Sequence, residues 1–220
     1  MFRQQNSELR LAVLALHALH VSAGDQRLLQ RTDDPALSAA GESVGTQPTL
    51  GADVWSSNVD REVGQRVHLV IGELVTNGGG LADVGTTTRR ILQAKPVSGA
   101  RAASTRMQVG SAAGTYLRRY LPAASLVGVE VPLGGGCADL VWDHEGVIVV
   151  DELKSGTGDV SAQLVAQVSR FLAGGTERWG TAFAGVRLVP LTNSSGCRLI
   201  VGVDDEQLVT AALPDWLVVR

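Results

Sequence analysis

The sequence predicts a mixed α/β layer fold. Helical periodicity fills residues 60–120, and β-branched runs replace it from residue 126 onward. A further helix over 161–173 then divides the strands into a group of three and a group of two. The chain has 220 residues, enough for one such domain with appendages or two small ones. At this size a domain buries roughly 70% of its unfolded surface, so a sizeable core is expected.

Taken in order, Leu9, Val13, Leu16 and His20 recur at helical spacing. The same region has features of a signal peptide: Arg3 and Arg10, the apolar stretch Leu11 to Val21, and Val21-Ser22-Ala23 as a cleavage-like site. Glu8 in the basic part, and His17 and His20 in the apolar part, favour an amphipathic helix and a cytoplasmic protein. Residues 22–58 are rich in Ser, Thr, Gly, Asp and Pro without a sustained period, which marks a loose linker. Residues 1–58 are therefore expected to be an N-terminal helix and linker, and 59–220 the main domain. From Asp60 on, Val63, Val67, Val70, Ile71 and Leu74 line one helix face, and Gly78-Gly79-Gly80 ends it. Shorter and longer helices follow at 85–95 and 100–120, before Pro122. Leu126–Leu133 and Cys137–Trp142 are strands, with Gly134-Gly135-Gly136 between them. Asp143 to Gly146 reads as a turn. Val147–Leu153 reads as a strand buried on both faces, since its apolar run does not alternate. A helix over Ser161–Ala173 ends at Gly174-Gly175, and strands at about 184–191 and 197–203 complete the list.

No apolar run reaches the roughly 18 residues that span a bilayer. Two cysteines, Cys137 and Cys197, exclude a disulfide framework and any four-cysteine zinc or iron–sulfur site, and read as buried thiols. The net charge of −3 speaks against nucleic acid as a partner, but it is unevenly spread. Between Asp83 and Glu130 there is no acidic residue, while Arg89, Arg90, Lys95, Arg101, Arg106, Arg118 and Arg119 all lie there. Of 19 basic residues only Lys95 and Lys154 are lysines.

The chemistry-bearing segment is Gly136-Cys137-Ala138-Asp139 followed by Asp151-Glu152-Leu153-Lys154. With 143–146 as a four-residue turn, Trp142 faces Val147 and Asp139 faces Val150. Glu152 then lies diagonal to Asp139 on the same face, at a Cα separation of about 7–8 Å, and Lys154 shares that face. Two carboxylates so placed can converge on a hard divalent cation, with Lys154 beside it as a compact point charge. A turn one residue longer or shorter puts Asp151 beside Asp139 and points Lys154 away. By itself Glu-x-Lys at a strand end is commonly a solvated pair. Nor do the glycines at 134–136 form a phosphate loop, because a strand follows rather than a helix.

Gly-x-x-Asp and then Glu-x-Lys on an apolar strand resemble the PD-(D/E)XK nuclease superfamily. They are most similar to its RecB-type branch, which adds Gly-x-x-x-His upstream and Gln-x-x-x-Tyr downstream. Here Gly64 to His68 matches the first, and Gln167 to Phe171 the second with Phe in place of Tyr. The resemblance covers about residues 60–203. It implies a restriction-endonuclease-like mixed sheet flanked by helices over 59–220. It further implies that Asp139 and Glu152, with His68 and the main-chain carbonyl of Leu153, hold Mg²⁺, or Mn²⁺ in its place. Lys154 and Gln167 would act beside the metal. Phe171 leaves no tyrosine hydroxyl. With two cysteines, the iron–sulfur cluster of some relatives is not expected. Glu73 and Glu130 rival His68 as the completing ligand, a lone His on an apolar helix also fits a boundary residue, and Gln163 lies one turn from Gln167.

The expected activity is metal-dependent hydrolysis of phosphodiester bonds in DNA, in the manner of a RecB-like exonuclease. The setting would be DNA repair, recombination, phage replication or defence, with a helicase or recombination partner by analogy and no membrane. The Arg-rich stretch would track the phosphate backbone. The alternative is a catalytically inactive nucleic-acid-binding or protein-interaction module on the same fold. A generic small-molecule hydrolase has no nucleophile motif in its favour.

Overall fold

The computed structural model describes residues 54–96, 102–155, 161–191 and 196–217. The expected N-terminal helix and linker, with the signal-peptide features, lie outside these residues apart from 54–58, and so does Arg101. Helices α1 (Val54–Thr76), α2 (Val84–Ala94) and α3 (Ala102–Arg119) come first. Strands β1 (Ser125–Leu133), β2 (Gly136–His144) and β3 (Val147–Lys154) follow, then helix α4 (Ala162–Trp179), then β4 (Phe183–Pro190), β5 (Arg198–Asp204) and β6 (Gln207–Ala211). The architecture is α/β, a mixed six-stranded sheet in the order β1-β2-β3-β4-β5-β6 with flanking helices. Only β3 and β4 run parallel among these neighbours. Helix α4 makes the crossover that a parallel pair requires. Among the described residues no helix is long and apolar enough to cross a membrane.

Val149, Asp151 and Leu153 alternate along β3 with Val150, Glu152 and Lys154. On the first face, Leu140, Trp142 and Leu153 pack with Val67, Ile71, Val109 and Tyr116 of α1 and α3. On the second, Val141, Val150, Val186 and Leu188 pack with Val168 and Phe171 of α4. The strand is thus covered on both sides, as its unbroken apolar run requires.

Three boundaries and one unexpected strand, β6, differ from the sequence expectation. Helix α1 begins at Val54, inside the segment that composition marks as linker. Helix α4 runs through Gly174-Gly175 to Trp179. Those glycines are close-approach points, not stops: a Cβ on Gly174 would lie 2.6 Å from the Gly134 nitrogen, and one on Gly175 would enter the Phe183 ring. The β2–β3 turn is Glu145-Gly146 alone, both at positive φ, 52° and 81°, which suits a two-residue hairpin. Asp143 and His144 belong to β2, pairing with Ile148 and Val147. Strand β6 is short and partly exposed, without the apolar run that announces the others.

Candidate metal centre

The tighter turn moves the β2–β3 register by two residues, so the side-chain parity is kept. Leu140 pairs with Asp151 and Trp142 with Val149. One step further, Asp139 falls directly across from Glu152 and not diagonal to it. Here the ladder gives way to a side chain: the Leu153 N–H donates to Asp139 Oδ2 at 2.7 Å. This fixes the carboxylate between the two strands. Leu153, expected to contribute its carbonyl, meets Asp139 through its N–H.

Helix α1 supplies His68. Gly64, His68 and Gly72 recur every four residues and share one helix face. A Cβ on Gly64 would sit 2.9 Å from Ser155 Oγ, and one on Gly72 would sit 2.7 Å from Val129 Cγ1. The two glycines therefore let α1 lie close against β1 and the end of β3. Between them, His68 Nδ1 reaches Asp139 Oδ1 at 2.9 Å.

Helix α4 supplies Gln167. Its Oε1 accepts from Lys154 Nζ at 3.1 Å, and its Nε2 donates to Glu152 Oε1 at 2.9 Å. Lys154 Nζ also donates to Glu152 Oε1 at 2.7 Å. Gln163 is exposed, so the rivalry between the two glutamines resolves to Gln167. Phe171, one turn further along α4, is fully buried in the core and packs as an apolar ring. Glu152 Oε2 is buried and has no hydrogen-bond partner.

His68, Asp139, Glu152, Lys154 and Gln167, named from sequence on four different elements, form two hydrogen-bonded sets, His68–Asp139 and Lys154–Glu152–Gln167, which meet at Leu153. The structure adds Glu130 to the first. Pairs Val129–Leu140 and Val131–Ala138 flank Glu130, bringing it across from Asp139. His68, Glu130 and Asp139 each offer a ligand atom, and the three atoms lie within 4.8 Å of one another. Comparisons with protein-family models, curated proteins and solved structures return no match.

The electrostatics follow from crowding charge into a dry place. Burial raises the Glu152 carboxyl above its ordinary value, and the Asp139 charge adds to this while Lys154 opposes it. Burial pulls His68 down, but the hydrogen bond and charge of Asp139, with Glu152 and Glu130, outweigh it and leave His68 raised. An imidazole among three carboxylates, one with a desolvated free oxygen, has the donor chemistry of a divalent-cation site.

Other expected residues lie elsewhere. Glu73 pairs with Arg90, which removes it as a ligand. Arg89, Arg90 and Lys95 lie on or just after α2, and Arg106, Arg118 and Arg119 on α3, all exposed. The groups that touch Asp139 and Glu152 come instead from α1, β3 and α4. The thiols depart from expectation too. Cys137 is exposed, on a strand beside the edge, and Cys197 is partly buried. Burial pushes the Cys197 thiol up to about 11.

Sequence reasoning missed one polar cluster. Arg187 lies in the middle of β4, where every residue is buried. Its Nε donates to Asp151 Oδ1 at 2.7 Å and its Nη2 to Asp151 Oδ2 at 2.5 Å. Its remaining donors reach the Leu217 carbonyl at 2.6 Å and the Tyr120 carbonyl at 2.7 Å. The available signal was Arg187 alone in an apolar strand and Asp151 on the core-facing parity of another, since a buried charge demands a partner.

Proposed function

We propose that this chain is a metal-dependent deoxyribonuclease with the site plan of the RecB-type PD-(D/E)XK nucleases. The observation that carries the reading is the joining of Asp139, Glu152 and Lys154 with Gln167 and His68 at one end of the β2–β3 pair. Asp139, Glu152, the Leu153 carbonyl and His68 would hold Mg²⁺ or Mn²⁺. When bound, such an ion supplies Lewis-acid polarisation of a phosphoryl oxygen and a more acidic water.

The chain's own residues do the rest. Glu152 Oε1 and Gln167 Oε1 hold the Lys154 ammonium from two sides, so its charge is aimed rather than free. From there it orients the attacking water and offsets the charge that develops on the phosphoryl group. The Leu153 N–H keeps Asp139 from rotating away. Exposed Arg89, Lys95, Arg106, Arg118 and Arg119 give the sequence-independent attraction to a phosphate backbone. The favoured mode is exonucleolytic, on DNA, in repair, recombination, phage or defence settings beside a helicase or recombination partner, in the cytoplasm.

The test is shortening of linear and circular, single- and double-stranded DNA with Mg²⁺ or Mn²⁺. Wild type should cut at least one of these, and Asp139→Ala should not. Salt-sensitive DNA binding without cleavage on any of the four would instead mark an inactive nucleic-acid-binding module.

A further inference from the structure

We propose that Glu130 is a further ligand of the divalent cation, so that the site draws donors from α1, β1, β2 and β3. This rests on the metal site of the nuclease reading and adds a ligand to it. The resemblance assigns no role to the strand before Asp139.

Glu130, Asp139 and Glu152 stand on three consecutive strands. The β1–β2 register puts the first two across from each other, and the β2–β3 register continues to the third. His68 joins the group from α1, and one atom each of His68, Glu130 and Asp139 fall within a 4.8 Å span. A second, independent feature points to a missing ligand. The Glu152 side chain is 5% exposed. Its Oε1 is taken by Lys154 and Gln167, while its Oε2 is buried without a partner. Such an oxygen carries the full desolvation penalty unless something binds it. Asp139 falls across from Glu152 on β2, so a cation held there would offset the charge of both carboxylates. Glu130, by contrast, is exposed. It is the carboxylate that an incoming hydrated ion meets first, and Mg²⁺ or Mn²⁺ can keep waters on that side.

The experiment is Mn²⁺ titration of the full chain, reading free aquo-Mn²⁺ by electron paramagnetic resonance. Four proteins are compared: wild type, Glu130→Gln, Glu130→Gly and Glu145→Gln. Glu130 has φ of 51°, so the glycine variant removes the carboxylate while keeping a backbone that glycine accepts. Glu145, at φ 52° in the β2–β3 turn, is the matched acidic control. Both Glu130 variants should bind Mn²⁺ at least tenfold more weakly than wild type, and Glu145→Gln should match wild type. A wild type that takes up no Mn²⁺, or Glu130 variants that titrate like wild type, overturns the assignment. If Mn²⁺ uptake depends on Glu130 but DNA stays intact, the nuclease reading fails and the ligand stands. If DNA is cut and both Glu130 variants titrate normally, the ligand fails and the nuclease reading stands.

Discussion

On one face of β3, Asp151 accepts hydrogen bonds from Tyr116 Oη at 2.8 Å, Trp142 Nε1 at 3.0 Å and two nitrogens of Arg187. On the other face, the next residue, Glu152, keeps one carboxylate oxygen buried and unpaired. Both acids are removed from water, but Asp151 has both oxygens satisfied, while Glu152 meets Lys154 and Gln167 through Oε1 alone. Arg187 also ties the carbonyls of Tyr120 and Leu217 to the sheet, so the first cluster is closed and structural. Burial would lower the Arg187 guanidinium, but Asp151 outweighs this and raises it, so Arg187 keeps its charge. The second cluster leaves its carboxylates facing one another, an arrangement that becomes favourable when a cation arrives. A single strand thus holds a completed electrostatic unit and an incomplete one back to back.

The comparison is most severely tested by Arg187→Met. Removing one partner of a buried pair costs about 3–5 kcal/mol, a large part of a typical domain's stability. Urea unfolding should show most of the protein unfolded or close to it. Glu152→Gln should shift the metal-free unfolding free energy by only about 1 kcal/mol, because burial and the Asp139 charge already offset what the Lys154 pair contributes. Equal losses in the two variants would break the contrast.

Proton linkage sharpens it further. His68 is raised in the folded state, so its pairing with Asp139 contributes fully below pH 6.5 and is lost as pH rises through the folded value. Glu152 is also raised, so the folded state is favoured at low pH and loses that advantage as pH climbs above 4.5. Melting temperature in chelator should therefore fall across both windows. His68→Gln should flatten the upper one. Added Mn²⁺ should bind better at higher pH as both groups release protons.

The smallest effect separates two glutamines one helical turn apart. Gln167→Ala removes the bonds to Glu152 and Lys154 and should lower cleavage several-fold, with a stability change of about 1 kcal/mol. Gln163→Ala, at an exposed position, should stay within about 0.5 kcal/mol and leave cleavage unchanged.

The open site was more legible in the sequence than the closed cluster. Parity along a strand is robust: a hairpin turn misjudged by an even number of residues still put Asp139, Glu152 and Lys154 together. An apolar run is equally plain, which is why β3 and the Val67–Leu74 face of α1 were read correctly. What failed were signals carried by residue type alone. Asp143 and His144 look like turn residues, yet both belong to β2, and Asp143 accepts from the Gly146 N–H at 2.7 Å. Gly174 and Gly175 look like a helix stop, but they answer to Gly134 and Phe183, which are distant in sequence. Glu130 was only one rival among several, because its nearness to Asp139 and His68 depends on how β1 pairs. The Asp151–Arg187 unit needed the β3–β4 pairing across a helix crossover, where Asp151 lies beside Arg187.

On the proposed nuclease reading, Lys154 acts on the reaction rather than on the metal. The measurement is the rate of DNA cleavage by Lys154→Ala at saturating Mg²⁺ or Mn²⁺, beside its Mn²⁺ affinity. Wild type should be active, the variant slower by about 10²- to 10⁴-fold, and its Mn²⁺ binding at least as tight as in wild type. A variant that cuts DNA at the wild-type rate, or a wild type that cuts none, would contradict that reading.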